Sequence, residues 1–270
     1  MELGRIGVWR RHQDGAGGLR EAEQLGFGAV WVGSSPSLAQ VRPFLEATER
    51  VPVLTGIVNV WRVPPEEAAA GHAELARGFP GRFALGIGVG HPEASSDYTR
   101  PLKAMRDYFD GLDAADPPVP PEERLAAALG PKMLDLAAER SLGTHPYFTP
   151  PEHTRFARER LGPGPLVAPE VAVVLETDPE RAREIARRYA ATYLEKRNYS
   201  RNLLRFGFTE ADVRDGGSDR LIDEVIPHGP AEAVAEAVQV HFAAGADHVC
   251  LQPLGPGRDD AYRSLAAVLL

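Results

Sequence analysis

The sequence predicts a (β/α)8 barrel, a closed ring of eight parallel strands surrounded by helices. Short runs rich in β-branched and aromatic residues alternate with longer helical patterns along the whole chain. This alternation is typical of a parallel sheet whose strands are joined by helices. Eight strand runs can be counted in 270 residues, a length that suits a single barrel domain. An open doubly wound sheet is the structural alternative, but it normally has fewer units.

The eight predicted strands are Leu3–Trp9, Ala29–Gly33, Val53–Val58, Phe83–Val89, Arg124–Ala128, Gly143–Tyr147, a segment within Leu166–Leu175, and Asp247–Gln252. Helical patterns fill the intervals between them. Between the last two strands, two extra helical patterns at 179–190 and 192–204 are followed by a polar turn at 215–219. We therefore expect one domain over residues 1–270, with a helical insertion after strand 7 at about 192–228.

Charge and cysteine content restrict the function. The formal net charge is -8 and the acidic residues are spread along the chain, which argues against binding to nucleic acid or to an anionic membrane surface. A single cysteine, Cys250, allows no intrachain disulfide and no cysteine-held metal centre. No stretch is long and apolar enough for a membrane span or a signal peptide. The expectation is a cytoplasmic protein that acts on a small molecule.

In a barrel of this kind the active site lies where the strands end, so the residues just after each strand are the candidates. The fourth predicted strand carries glycine at every second position, Gly86, Gly88 and Gly90, and is followed by His91. Such glycines could leave the inner face bare for a flat ligand, or could relieve crowding inside the barrel. A dinucleotide-binding motif is rejected here because no helix starts directly after the glycines.

The segment Ala128-Leu129-Gly130-Pro131-Lys132 is the second candidate. A strand ends there, and proline occupies the first position of a helix whose unpaired N–H groups attract anions. A phosphate site with Lys132 as an additional charge is one interpretation. An ordinary turn between a strand and a helix is the other.

His91 and His145 are the two histidines that follow strands on the side of the expected active site, where an imidazole can transfer protons or contact a ligand. None of the eight histidines is at metal-ligand spacing, so no metal site is predicted. The sequence contains no nucleophile elbow and no phosphate-binding loop of the nucleotide-hydrolysing type.

Four stretches resemble a known family. They are Leu25–Gly33, Thr55–Trp61, Gly81–His91 and Ala244–Val249, supported by Ala127–Lys132 and Gly143–Tyr147. In this order and spacing the chain resembles the bacterial luciferase-like superfamily, in particular its branch that depends on the deazaflavin coenzyme F420. The resemblance implies a barrel of the bacterial luciferase type and an oxidoreductase that moves hydride to or from the coenzyme.

The resemblance also assigns expected roles. Gly56-Ile57 matches a non-proline cis peptide behind the coenzyme ring, Asn59 the ring's pyrimidine-like edge, and Ser34 a polar position beside the ring. Ala128, Leu129 and Gly130 match a segment that touches the phosphate tail, next to Pro131 and Lys132. Gly90, His91 and His145 complete the expected cofactor contacts. His91 is the candidate catalytic residue, although sugar-phosphate-oxidising relatives carry a glutamate at that place.

Two alternatives remain open at this point. One is a flavin mononucleotide (FMN)-dependent monooxygenase of the same fold, and the other is a non-catalytic barrel that binds no cofactor. A homodimer is expected by analogy only. The substrate cannot be named, because the insertion and the loop at 9–17 would shape its site. The run Asn198–Asn202 has the character of a substrate lid, but equally that of a helix segment or a dimer contact.

Overall fold

The computed structural model describes residues 1–91 and 98–270. Its strands are β1 (Ile6–Arg11), β2 (Val30–Gly33), β3 (Val53–Gly56), β4 (Val58–Asn59), β5 (Phe83–Gly88), β6 (Arg124–Ala126), β7 (Gly143–Thr144), β8 (Leu166–Val167), β9 (Glu170–Val173) and β10 (Val249–Pro253). All recorded pairings between them are parallel. The strand order is β8-β7-β6-β5-β3-β2-β1-β10-β9, with β4 beside β5.

Two of the barrel strands are interrupted. Ile57 separates β3 from β4, and Ala168-Pro169 separates β8 from β9. The interrupted strand formed by β8 and β9 closes the ring, because β8 pairs with β7 and β9 pairs with β10. Counting each interrupted strand once gives eight parallel strands, so the predicted barrel is confirmed.

The helices are α1 (Leu19–Gln24), α2 (Leu38–Glu46), α3 (Pro65–Gly78), α4 (Pro101–Ala114), α5 (Pro131–Arg140), α6 (Pro151–Leu161), α7 (Pro179–Leu194), α8 (Arg197–Arg205), α9 (Asp219–Val225), α10 (Ala231–Ala243) and α11 (Arg258–Leu269). Several begin with proline at the first helical position, where a missing N–H leaves no helical hydrogen bond unmade. The segment between β9 and β10 contains α7, α8 and α9 before α10.

The strands alternate between two cores, as the two-residue period of a β-strand requires. In β2, Val30 and Val32 pack outward against the helices, whereas Trp31 points into the barrel. The interior cluster contains Trp9, Trp31, Leu54, Ala84, Leu125, Ala168 and Cys250. A third cluster joins the inner sides of α7, α8 and α9 to Phe148, Ala172 and Val174 above the barrel. The barrel is therefore filled below and roofed by the helices that follow β9.

Some predicted bounds were wrong. The first strand was placed too early, since β1 extends through Arg10 and Arg11. Arg10 is buried and pairs with Asp259 of α11. Because a buried charged residue does not follow the hydrophobic pattern of a strand, the pattern ends before β1 does. Helix α9 was missed because its seven residues are too short for a clear helical period. By contrast, the sequence patterns predict helices at Pro131–Arg140 and Ala231–Ala243, and α5 and α10 have these bounds.

Among the described residues, no helix is long and apolar enough to cross a membrane.

Candidate cofactor site

A cavity of about 570 Å³ opens at the carboxyl ends of the strands, where barrel enzymes carry their active sites. Its size falls in the usual range for ligand sites. Its walls come from strand ends, the start of α4 and α5, and the α7–α8 region. All twelve residues predicted from the sequence line it: Ser34, Gly56, Ile57, Asn59, Gly90, His91, Ala128, Leu129, Gly130, Pro131, Lys132 and His145. The structure thus brings these residues together, while their individual roles remain predictions.

The cavity floor is built from inward-facing rings of the barrel. A Cβ atom added to Gly33 would lie 1.9 Å from the Trp9 ring, and one on Gly56 would lie 3.0 Å from Nε2 of His145. Glycine is required at Gly33 because the Trp9 indole occupies the space of a side chain. The peptide bond between Gly56 and Ile57 is cis, as the resemblance implied.

His145 is buried in this floor. Its Nδ1 donates to the carbonyl oxygen of Ala168 at 2.7 Å, which leaves Nε2 as an acceptor with no partner recorded. Burial lowers the pKa of His145 to about 4, so the ring is neutral at neutral pH. Trp9 Nε1 is a buried donor that also lacks a partner within residues 1–91 and 98–270. The floor therefore offers one acceptor and one donor close to Gly56.

The alternating glycines do not form a bare surface for a ring. A Cβ on Gly86 would lie 1.9 Å from the carbonyl oxygen of Thr55, and one on Gly88 would lie 3.1 Å from Ile57 and from Ala127. Of the three glycines, Gly90 alone lines the cavity. The crowding interpretation is therefore correct for Gly86 and Gly88, because neighbouring strands approach them closely.

Asn59 and His91 border the cavity near Gly90. The side-chain oxygen of Asn59 accepts from the backbone N–H of Trp61 at 2.9 Å, which fixes the orientation of the amide. Its Nδ2 lies against Gly90, where an added Cβ would approach it to 2.6 Å. The Nδ1 atom of His91 is 3.3 Å from Oδ1 of Asn198, and the ring packs 5.1 Å from that of Tyr199. His91 thus connects the end of β5 to α8.

The first turn of α5 faces the cavity. Gly130 is the N-cap residue, and no side chain caps the helix. Unpaired N–H groups and the helix dipole make such an end attractive to an anion. Among the described residues, the exposed Lys132 and Arg62 are the cationic side chains that line it. Between strand and helix, the carbonyl oxygen of Leu129 accepts from Nε2 of His153 at 3.0 Å, which anchors the turn.

Several lining residues were not among the predicted site residues: Trp9, Arg62, Tyr98, Tyr147, Tyr193, Asn198 and Tyr199. Trp9 and Tyr147 are the last residues of two predicted strands, Leu3–Trp9 and Gly143–Tyr147. Tyr193 and Tyr199 lie on α7 and α8, and no local signal in the sequence shows which face of these helices covers the barrel. The run Asn198–Asn202 lies within α8 and contributes Asn198 and Tyr199 to the cavity.

Fold and site together define an enzyme-type barrel with its cavity at the carboxyl ends of the strands. Residues 14–248 match the family model described as luciferase-like monooxygenase, and the chain belongs to this family.

Three individual proteins illustrate the range of the likeness. A 5,10-methylenetetrahydromethanopterin reductase of Archaeoglobus fulgidus is 24% identical, with 89% of this chain and 90% of that protein covered. The solved structure of an F420-dependent secondary alcohol dehydrogenase with an F420-acetone adduct has a TM-score of 0.78 at 17% identity, over 98% of both chains. The oxygenating constituent of 3,6-diketocamphane monooxygenase of Pseudomonas putida, solved with FMN, has a TM-score of 0.66 at 16% identity, over 99% and 97%. At these identities the two solved structures show the fold alone.

Proposed function

We propose that this protein is an oxidoreductase that binds coenzyme F420 in the cavity and transfers hydride between it and a small organic substrate. The observation that carries the proposal is the pairing of two features in one cavity. One is the uncapped start of α5 with Lys132, which suits an anionic tail. The other is a floor of rings with a buried donor and acceptor, which suits a flat heterocycle.

The residues fit such a group. The backbone N–H groups of Gly130 and Lys132 would bind the phosphate of the tail, and the amide of Asn59 would face a polar edge of the ring. Trp9 Nε1 can donate to a ring carbonyl, and His145 Nε2 can accept from a ring N–H, because neither atom has a partner among the described residues. When bound, the deazaflavin supplies the hydride chemistry, and the protein supplies orientation and exclusion of water.

The remaining part of the cavity would hold the substrate. His91, Asn198 and Tyr199 form one contact group there, with aromatic walls from Tyr98 and Tyr193. Apolar walls with few polar groups suit a small organic molecule of modest polarity. His91 would hydrogen-bond to the reacting oxygen of this molecule.

FMN is the second candidate cofactor. The likeness to a structure solved with FMN supports it, and the start of α5 suits the phosphate of FMN equally well. The two candidates predict different chemistry, because reduced flavin reacts with oxygen and a reduced deazaflavin hardly does.

A parallel titration tests the proposal. The purified protein is titrated with F420 and, separately, with FMN, while cofactor fluorescence and tryptophan quenching are recorded. Saturable binding of one F420 per chain, with weaker binding of FMN, is the expected result. Tighter binding of FMN would replace F420 in the proposal, and binding of neither would make the non-catalytic barrel the better account.

A further inference from the structure

Three tyrosine hydroxyl groups form a connected cluster between the cavity and the barrel interior. We call Tyr147, Tyr189 and Tyr193 the tyrosine cluster. The hydroxyl oxygens of Tyr189 and Tyr147 are 2.8 Å apart, and those of Tyr193 and Tyr147 are 3.1 Å apart. Tyr189 and Tyr193 are four residues apart on α7, so they lie on the same helical face. Tyr147 and Tyr193 line the cavity, whereas Tyr189 does not.

The inner end of the cluster reaches a buried carboxyl group. Glu170, the first residue of β9, is 1% exposed, and its Oε1 lies 3.4 Å from the hydroxyl of Tyr189. Its Oε2 accepts from the backbone N–H of Phe148, also at 3.4 Å. Burial raises the pKa of Glu170 to about 8, and no charged group of the described residues offsets this effect. Burial therefore favours the protonated carboxyl group at neutral pH.

The titratable groups around Glu170 are neutral at the same pH. Those whose charge would interact with it are Tyr147, Tyr189, Tyr193, Tyr199 and Cys250. Burial raises the pKa of the Cys250 thiol and of these phenols above their ordinary values. The carboxylic acid is thus the most acidic group of the cluster.

The hydrogen bonds allow a directed chain. Each phenol has one proton, and the side-chain oxygen of Gln252 accepts from Tyr147 at 2.7 Å. A protonated Glu170 can donate to Tyr189, which can donate to Tyr147. Because a hydroxyl group rotates, Tyr147 can donate either to Gln252 or toward Tyr193, and Tyr193 can donate either to Tyr147 or into the cavity.

We propose that Glu170 stores a proton that the tyrosine cluster delivers to the oxygen of a carbonyl substrate, and takes back when an alcohol is oxidised. The inference rests on the proposed function, and it specifies the substrate class as a carbonyl compound and its alcohol. His91 then orients the reacting oxygen and does not supply the proton.

In the direction of reduction, a bound reduced deazaflavin would supply the hydride that forms the C–H bond at the carbonyl carbon, and would itself be oxidised by two electrons. The π pair of the C=O bond becomes a lone pair on oxygen. That oxygen takes the hydroxyl proton of Tyr193. Tyr193 regains a proton from Tyr147, Tyr147 from Tyr189, and Tyr189 from Glu170, which becomes a carboxylate. After the product leaves, a proton from solvent in the open cavity returns through Tyr193, Tyr147 and Tyr189 to the Glu170 carboxylate.

The first test uses the protein without cofactor. Infrared difference spectra of wild type and Glu170→Gln, recorded as the pH is raised, should show a protonated carboxyl group at pH 7 that is absent from the variant and that ionises near pH 8. A carboxylate at pH 7 would overturn the proposal, whatever the protein binds. Since this measurement needs no cofactor, its outcome is separate from the failure of the proposed function.

The second test compares variants in carbonyl reduction with reduced F420. Glu170→Gln and Tyr193→Phe should each lower kcat about a hundredfold or more, the range of general acid catalysis, with little change in F420 affinity. The wild-type rate should fall above about pH 8 as Glu170 loses its proton, and this fall should be absent in Glu170→Gln. The matched control is Tyr108→Phe, a buried tyrosine outside the cavity whose hydroxyl donates to the carbonyl oxygen of Val63.

Two results of the kinetic test would overturn the proposal. One is a Glu170→Gln enzyme with the wild-type kcat and the wild-type fall at high pH. The other is a His91→Gln enzyme that alone loses the pH dependence, because the proton would then come from His91.

Discussion

The imidazole ring of His145 is stacked on the indole ring of Trp31, with ring centroids 4.0 Å apart and planes inclined by 14°. Trp31 Nε1 in turn donates to Nε2 of His248 at 3.0 Å. These three rings fill the barrel beneath the cavity. We call the rings of His145, Trp31 and His248 the ring column. Because the ring column is packed and hydrogen-bonded, it fixes the position of the cavity floor.

The ring column predicts an unusual histidine titration. Burial lowers the pKa values of His145 and His248 to about 4, and burial does the same for His153 and His241. Histidine-selective NMR between pH 4 and 8 should therefore show four imidazoles that stay neutral through pH 6. A set of eight rings that all titrate near pH 6.5 would contradict this account of the interior.

The same shifts predict how stability depends on pH. In the unfolded chain these histidines gain protons below about pH 6.5, whereas the folded protein resists protonation until about pH 4. The stabilisation is thus complete above pH 6.5 and is lost as the pH falls toward 4, by about 3 kcal/mol per histidine at most. Urea unfolding at a series of pH values measures it. Constant stability from pH 7 to pH 4.5 would show that the histidines are solvated.

A second acid-sensitive contact lies on the outer side of the barrel. The carboxylate of Glu23 accepts from the backbone N–H groups of Glu49, Arg50 and Val51 at 2.9, 2.6 and 2.9 Å. Burial alone would raise the pKa of Glu23, but these three donors lower it below the ordinary value. Glu23→Gln should lower the free energy of unfolding by about 2 kcal/mol at pH 7.

The deficit of Glu23→Gln should shrink as the pH falls, because protonation removes the advantage of the carboxylate. Exposed Glu46 provides the control, and Glu46→Gln should have a stability close to that of wild type at pH 7 and at the lower pH. Equal effects of the two substitutions at pH 7 would show that the three N–H groups do not depend on Glu23.

The close approach of β3 and β5 predicts the cost of a single methyl group. A Cβ on Gly86 would lie 1.9 Å from the backbone oxygen of Thr55, which cannot move without disturbing the sheet. Gly86→Ala should destabilise the protein by about 2 kcal/mol or more in thermal unfolding. Gly164 has open space at its Cβ position, so Gly164→Ala should have little effect. Equal stability of the two variants would contradict the strand spacing.

The sequence predicted much of this fold because the barrel strands and their helices have clear periods. It also predicted the twelve cavity residues, since strand ends meet at one side of a parallel barrel. It could not predict what fills the barrel. From the sequence, Gly86 and Gly88 could leave a bare surface for a ligand or could relieve crowding. The distances that decide between these two interpretations join each glycine to residues far from it in the chain.

The sequence also could not predict how the helices after β9 contact the barrel. Tyr189 and Tyr193 look like ordinary residues of an amphipathic helix. Both hydroxyl groups pair with that of Tyr147, which follows β7, and Tyr189 also reaches Glu170 of β9 and Gln252 of β10. Glu170 likewise looks like a polar strand terminus in the sequence. Its burial follows from the packing of the folded barrel around it, which the sequence alone does not show.

Blocking the cavity tests the central claim most directly. Gly130 lines the cavity with φ -92°, and a Cβ placed there meets nothing within 4 Å, so a large side chain can be accommodated without backbone strain. The exposed Gly164 offers the same freedom away from the cavity. F420 binding is measured by fluorescence for wild type, Gly130→Trp and Gly164→Trp, with thermal unfolding as the check of folding.

We predict that wild type and Gly164→Trp bind F420 equally, whereas Gly130→Trp folds normally and binds at least about tenfold more weakly, a loss of about 1.4 kcal/mol. Folded Gly130→Trp that binds F420 as tightly as wild type would contradict the placement of the cofactor in this cavity.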